Sequence, residues 1–156
     1  MNLKARFATT KDKAQLLAWA NDAEIRKQSF MATKVTKEEH DKWFSKVLAD
    51  HDNQRLFILE NNDKSPCGQV RFSRTERDDW EIHFSMDPQY RGQGLGVQLI
   101  RAGLDVFLGQ EHRSRITAKV KNGNAASLRI LATAGFQGEE SCAPNDSETR
   151  LIYIPK

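Results

Sequence analysis

The sequence predicts a single α/β (α+β) domain: a mixed sheet with helices on its faces. Three observations carry that class. Three strand patterns follow one another between residues 56 and 86. Strand and helix patterns alternate from there to the end. A glycine-rich turn joins the two regimes. The 156 residues fit one domain, 1–156, long enough to bury a core.

Leu3 to Thr9 reads as the first strand. Thr10 opens an amphipathic segment with Leu16, Leu17, Trp19 and Ala20 on or near one face. Asn21-Asp22 interrupts it, and a short helical piece follows around Ile25 to Gln28. Thr36-Lys37-Glu38-Glu39 has capping-box spacing and predicts a helix start. Trp43, Phe44, Val47 and Leu48 recur there at helical spacing. Leu56 to Glu60 is a strand, and residues 61–66 are a turn by composition. Gly68 to Arg74 and Glu81 to Met86 alternate and read as two more strands. Gln93 to Leu108 is a helix with Leu99, Ile100, Leu104 and Phe107 inward. Arg115 to Val120 is a strand with Ile116, Ala118 and Val120 on one face. Ala125 to Thr133 is a helix, with Gly135 as its C-terminal cap. Thr149 to Ile154 closes the series as a strand.

Composition excludes several classes. Apolar residues make up 38% and charged residues 29%, as in a soluble globular protein. No apolar run nears the length of a membrane span, and the first residues have no apolar signal-peptide core. The expected location is the cytoplasm, with Cys67 and Cys142 as free thiols. A net charge of +3 is too small to argue for nucleic acid, yet it suits an anionic ligand weakly. His40, His51, His83 and His112 lack zinc-ligand spacing, so no metal is expected.

The most informative stretch is Met86-Asp87-Pro88-Gln89-Tyr90-Arg91-Gly92-Gln93-Gly94-Leu95-Gly96, following a strand and opening a helix. Helix N-termini have unpaired N–H groups and a positive dipole end, and glycines let a ligand approach the backbone. A phosphate cradle is expected here; a bare glycine turn is the alternative. A P-loop is excluded, because no Gly-Lys-Ser/Thr follows at the required spacing. A dinucleotide fingerprint fits poorly, because the glycines are spaced 92, 94, 96 and Ile116 sits near the position of the acid.

Arg91, Gly94 and Gly96 meet the pattern Arg/Gln-x-x-Gly-x-Gly/Ala. Asn124-Ala125-Ala126-Ser127-Leu128-Arg129, followed by Gly135-Phe136, supplies a second signature. With both, the chain resembles the GNAT acetyltransferases. That resemblance implies a mixed, mostly antiparallel sheet with helices on both faces, and acetyl-CoA as co-substrate. It implies the cofactor's pyrophosphate on the amides of Arg91, Gly92, Gln93, Gly94, Leu95, Gly96 and Val97. It also implies pantetheine against Phe84, Ser85 and Met86, and contacts from Asn124 and Ser127. One position departs: many members carry a Tyr as general acid where this chain has Leu131. Either another group protonates the thiolate or, as a thiol pKa near 8.5 allows, it leaves without help.

The first half holds a narrower resemblance. Leu17-Ala18-Trp19-Ala20-Asn21-Asp22, Arg26, Ser29-Phe30, Glu39-His40, Trp43-Phe44 and Gly68-Gln69-Val70-Arg71-Phe72 are similar to the nucleotide-sugar N-acetyltransferases of pseudaminic acid biosynthesis. Those enzymes act on the 4-amino group of a UDP-linked dideoxy sugar. The acceptor expected here is therefore a small-molecule amine of that kind. Rival readings are a protein N-terminal or polyamine acetyltransferase, and a non-catalytic acyl-CoA-binding regulator. No nucleic acid or membrane partner is expected, and a homodimer is left open.

Glu81, His83 and Ser85 share one face of their strand by period-2 alternation. An amine must be neutral to attack a thioester, so Glu81 and His83 are the expected base pair; the alternative is that they face solvent or hydrogen-bond within the sheet. Gln69 and Arg71 share a face of the preceding strand and either line an acceptor pocket or meet solvent. Asn21 and Arg26 join the acceptor set on the resemblance, while Asp22 can simply cap the next helix. His40 belongs either to the acceptor set or, by default, to an exposed helix start. Trp19, Trp43 and Phe44 read as core. Arg113, Arg115, Lys119 and Lys121 form a basic strand face, either solvated or drawing the 3′-phosphate of CoA or a nucleotide.

Overall fold

The computed structural model describes residues 2–30, 33–75, 79–111, 114–138 and 147–155. Cys142 and Arg113 lie outside these. The chain forms β1 (Lys4–Phe7), α1 (Lys13–Ala20), α2 (Ala23–Gln28), α3 (Lys37–Ala49), β2 (Gln54–Glu60), β3 (Pro66–Arg74) and β4 (Trp80–Met86). It continues through α4 (Gly96–Gln110), β5 (Ile116–Lys121), α5 (Ala125–Thr133), β6 (Gln137–Gly138) and β7 (Glu148–Tyr153). The seven strands make one sheet in the order β1-β2-β3-β4-β5-β7-β6. Every pairing is antiparallel except β4–β5, so the mixed, mostly antiparallel sheet is the one expected.

Two apolar clusters cover the two faces. Phe57, Leu59, Val70, Phe72, Trp80 and Ile82 point to α4 and α5, where Leu99, Ile100, Leu104, Phe107 and Leu131 meet them. Leu56 and Ile58 point the other way, to Leu16 and Trp19 of α1 and Phe44 and Val47 of α3. A strand covered on both sides reads as a continuous apolar run, which is why Leu56 to Leu59 shows no alternation. From β3 onward the α1–α3 face turns polar: Gln69, Arg71 and Ser73, then Glu81, His83 and Ser85. That change of chemistry positions the site.

Several boundaries differ from the sequence reading, each for a local reason. The first strand stops at Phe7 because Thr9 caps a 3₁₀ turn, Thr10–Asp12, in a full capping box. The helix expected from Gln93 begins at Gly96, because Gly92 (φ 75°) and Gly94 (φ 74°) take left-handed backbone that no helix accommodates. Thr36 caps α3 by accepting from the Glu39 amide at 3.1 Å. Gly135 (φ 109°) follows α5 as expected, with the Phe136 amide donating to the Leu131 carbonyl at 3.0 Å. The two-residue β6 escaped the sequence reading because it is too short to alternate.

Close packing of α4 on the sheet needs small residues. A Cβ on Gly68 would lie 2.5 Å from the Ser85 carbonyl oxygen and 2.9 Å from Leu99 Cδ1. A Cβ on Gly96 would collide with Ile130 of α5. Gly96 therefore serves the α4–α5 contact, whereas Gly92 and Gly94 face open space.

The N-terminal strand is stapled to α1 by Asp12. Arg6 grips its carboxylate with two bonds of 2.8 Å, the Thr9 amide adds a third at 2.8 Å, and Arg6 Nε reaches Glu60 at 3.1 Å. The Arg6 bond holds the Asp12 carboxyl below its usual range, against the opposing effect of desolvation. A depressed carboxylate stabilises the fold fully above its unfolded pKa, and that contribution drains as pH falls through the folded value. Replacing Asp12 with Asn should cost about 1–3 kcal/mol at neutral pH. Below roughly pH 4 the variant should lose stability less steeply than the parent. Urea unfolding at pH 7 and in the acid range checks both.

Candidate active site

The site lies where β4 parts from β5. Only Trp80↔Ile116 and Glu81↔Thr117 are paired between them. The Trp80 amide donates to the Arg115 carbonyl at 2.9 Å, so it points toward β5. Alternation puts the amides and carbonyls of Phe84 and Met86 on that same edge, beyond the last pair. They face a gap. Buried backbone groups without partners are costly, so this edge needs water or a ligand.

The glycine turn sits at the tip of β4. Pro88–Tyr90 form a 3₁₀ turn capped by Asp87, whose Oδ1 accepts from the Gln89 amide at 2.8 Å. The amides of residues 92–97 donate to no protein acceptor among the described residues. With α4 running away from them, they have the arrangement an anion at a helix start would need. Gln93 folds back to the Gln89 carbonyl at 2.9 Å. Asn124 caps α5 by accepting from the Ser127 amide at 3.2 Å, so its side-chain oxygen is committed to the helix. Leu131 is fully buried in the core. Nothing from that position reaches the gap.

The polar sheet face forms the opposite wall. Register sets Gln69 beside Ser85, Arg71 beside His83 and Ser73 beside Glu81. His83 Nε2 lies 3.2 Å from Glu81 Oε1, and Lys119 Nζ lies 3.7 Å from Glu81 Oε2. The bond from His83 holds the Glu81 carboxyl below its usual range, although burial opposes it. His83 lies on this wall, open to solvent at 39% of its side chain. Desolvation lowers its pKa, the Glu81 bond opposes that, and the charge of Arg71 lowers it further. At neutral pH the pair is a carboxylate and a neutral imidazole. With Nε2–H given to Glu81, Nδ1 carries the free lone pair.

Arg71 is the most heavily desolvated cation of the wall, its pKa pushed down to about 10 by burial, with Glu81 opposing. Its Nη1 donates to Gln54 Oε1 at 3.2 Å and also to Ser73 Oγ. Its guanidinium lies 5.3 Å from the centre of the Trp43 ring. No carboxylate bonds it among the described residues. Gln69 Nε2 donates to Ser85 Oγ at 3.0 Å.

The remaining acceptor candidates divide. Asn21 spends its whole amide on the loop before α3, donating to the Val35 carbonyl and accepting from its amide, both at 2.7 Å. Arg26 bonds the Thr33 carbonyl and Ser29 Oγ, both at 3.1 Å. His40 corrects the default expectation of an exposed helix start. It is 3% exposed, with its ring centroid 5.9 Å from that of Phe44, and burial lowers its pKa. It helps to pack α3 and does not face the gap.

Two contacts escaped the sequence reading. Trp19 Nε1 donates to Asp87 Oδ2 at 2.7 Å, and Arg91 Nη2 donates to Asp22 Oδ2 at 2.7 Å. They join residues about seventy positions apart, so no local pattern announces them. Among the described residues no His, Cys, Asp and Glu side chains cluster as a metal-ligand set, and no helix is long and apolar enough to cross a membrane.

A family model described as the acetyltransferase (GNAT) domain matches residues 2–137. The chain is 33% identical over 72 residues to the N-alpha-acetyltransferase RimI of Mycobacterium tuberculosis, covering 46% of this chain and 43% of that protein. It is 24% identical over 132 residues to an N-acetyltransferase 9-like protein of Nematostella vectensis, covering 76% and 66%. The matches thus span less than two thirds of either relative. The fold is similar to that of a spermidine N-acetyltransferase from Vibrio cholerae solved with CoA and spermine. There the TM-score is 0.85 at 20% identity, covering 98% of this chain and 95% of that one. An aminoglycoside acetyltransferase solved with coenzyme A gives a TM-score of 0.81 at 19% identity, covering 98% and 95%. At these identities the likeness speaks for the fold.

The His83 environment predicts a titration. By NMR, His83 should titrate below the ordinary 6.5 of histidine. Replacing Glu81 with Gln removes the group that raises it, so its pKa should fall further. Replacing Arg71 with Gln removes a charge that lowers it, so its pKa should rise. Shifts of the opposite sign would show that the wall is organised differently.

Proposed function

The chain belongs to the acetyltransferase (GNAT) family, and on that premise we propose that it transfers the acetyl group of acetyl-CoA to the amine of an acceptor that also carries an anionic group. The 4-amino group of a UDP-linked amino-dideoxy sugar is the acceptor that suits it best. The carrying observation is Arg71, a half-buried guanidinium on the acceptor wall with neutral partners and no bonded carboxylate. Desolvating a cation is costly, and Glu81 compensates Arg71 only through space while it also serves His83 and Lys119. A ligand phosphate or carboxylate would offset that cost through paired, charge-assisted bonds. The first-half resemblance, through Trp43 and Gln69 to Arg71, supports the same reading.

The cofactor side follows from the open backbone. The amides of residues 92–97 take the pyrophosphate, and the free edge at Phe84 and Met86 takes pantetheine. The thioester carbonyl then lies near Met86, whose N–H is suited to stabilising the tetrahedral oxyanion. The neutral amine attacks the carbonyl carbon, and a C–N bond forms. His83 Nδ1 takes the proton from nitrogen while Glu81 holds the ring. Collapse of the intermediate breaks the C–S bond. The thiolate leaves unassisted, since Leu131 offers no proton. Holding amine and thioester together supplies much of the acceleration.

The polyamine reading draws on the fold neighbour solved with spermine. A polycation would meet Arg71 and Lys119 here, with Glu81 as the carboxylate that both approach. CoA release should therefore be measured with a UDP-linked 4-amino sugar, spermidine, an aminoglycoside and an N-terminal peptide. Turnover is expected with the nucleotide sugar. Turnover of spermidine alone, or of the peptide alone, would overturn the acceptor assignment, and no thiol release from any amine would favour the non-catalytic regulator. Replacing Arg71 with Gln should raise KM for the anionic acceptor by about 10- to 100-fold, with a smaller effect on kcat.

The base is tested separately. His83→Ala should lower kcat by about 10²- to 10⁴-fold. In the parent enzyme the rate should rise with pH as the acceptor amine loses its proton, and protonation of His83 should add a further fall only below 6.5, because burial keeps the imidazole neutral above that. An unchanged kcat and profile in the double variant Glu81→Gln, His83→Ala would exclude these side chains as the base.

A further inference from the structure

The short helix α2 is held in an unusual way. It has six residues and none of them is buried. A helix that short does not persist on its own hydrogen bonds. Ile25 packs only partly against the smaller apolar cluster. What fixes α2 is polar, and it comes from both sides of the gap. At its start, Asp22 Oδ2 accepts from the Ile25 amide at 3.2 Å and from Arg91 Nη2 at 2.7 Å. At its end, the Lys27 carbonyl accepts from Lys121 Nζ at 3.1 Å. Arg91 belongs to the glycine turn after β4, and Lys121 is the last residue of β5. The helix therefore spans the mouth of the gap, tied to one lip at each end.

The Arg91 tie is placed to do more than hold. Arg91 immediately precedes the free amides of the glycine turn. Its Nε and Nη1 make no protein contact among the described residues, and its side chain is 31% exposed. An anion seated on those amides would have the unused side of the guanidinium within reach, with Asp22 on the other side. We infer that Asp22 and Arg91 are positioning residues that couple the two substrates: an anion in the glycine turn, bridged by Arg91 to Asp22, sets α2 over the acceptor wall. Trp19 adds a second strut, bonding Asp87 at the other end of the turn. The coupling runs through one guanidinium shared between two anions, a continuous physical contact between the sites.

This rests on the cofactor half of the reading above and is independent of which acceptor is used. The test is hydrogen exchange on the full chain, with and without saturating CoA, read at residues 25–28 and at residues 92–97. In the parent chain, CoA should slow exchange at both. Asp22→Asn removes the charge but keeps an N-cap oxygen for the Ile25 amide, since Asn caps as well as Asp. In that variant CoA should still protect residues 92–97, with affinity weakened by up to about fivefold, as for an exposed ion pair. The added protection of residues 25–28 should vanish. Arg91→Gln reads the same contact from the other side and should lose it too. Protection of α2 that persists in both variants, or is absent in the parent while the turn is protected, would overturn the coupling alone. A parent chain that does not bind CoA would overturn the cofactor reading and the coupling with it.

Discussion

The structure turns on one constraint: β4 and β5 are hydrogen-bonded over only two residue pairs. On its other side β4 pairs with β3 over seven positions, and β5 pairs with β7 over six. The sheet is thus two ladders joined at Trp80 and Ile116, both completely buried. The joint is well braced. Trp80 packs edge-on against Phe107 at 5.0 Å, and the guanidiniums of Arg55 and Arg74 flank its ring at 5.1 and 5.2 Å. A firm joint at one end lets the strands diverge at the other without loss of order. The divergence leaves backbone groups at the end of β4 without a partner strand on that edge. It also leaves the glycine turn at the tip of β4, ahead of an α4 start whose amides are free.

The two faces of this sheet do different work because side chains alternate. On β3 and β4 one set, Val70, Phe72, Trp80 and Ile82, is sealed under α4. The other set carries the polar wall. That wall keeps a desolvated guanidinium, which is expensive. Gln54 and Ser73 share its donors, and the Trp43 ring faces its charge, so part of the cost is offset locally. Glu81 offsets a further part through space, and on the proposed reading the acceptor's anion supplies the rest. A helix bundle would have no equivalent place for such a group, since the wall depends on three adjacent strands presenting polar side chains in register.

Much of this was legible in the sequence. The alternation in Glu81 to Met86 gave the strand and the shared face of Glu81 and His83. Asn124 and Gly135 bracketed α5 at its true ends. The glycine turn was identifiable from its position between strand and helix. What was not legible was tertiary. Asp22 reads as a cap, and it is one, but its bond to Arg91 follows only from the folding of α2 over the gap. Asn21 resembled a ligand-facing amide, yet it clamps the loop at Val35. His40 sits in a polar run, so nothing local showed that it would be turned inward among Trp43 and Phe44. Gly96 belongs to the cradle by pattern and to the α4–α5 contact by packing, because one glycine serves both.

The polar wall also bears on how the acceptor becomes reactive. An aliphatic amine is mostly an ammonium at neutral pH, and the ammonium cannot attack. Nearby cations disfavour the charged form and lower an amine's pKa. Arg71 and Lys119 stand on either side of Glu81, so an amine held beside His83 meets a positive field softened by one carboxylate. A cationic His83 would add to the repulsion and could accept no proton. The same arrangement keeps His83 neutral, since burial and Arg71 both lower its pKa. On the proposed reading, then, the cations that attract the acceptor's anion also help to strip the proton from its amine. Binding and activation are two consequences of one charge distribution. On that reading a polycationic acceptor would meet the same field at every nitrogen it brought in, whereas a single amine carried by an anion meets it once.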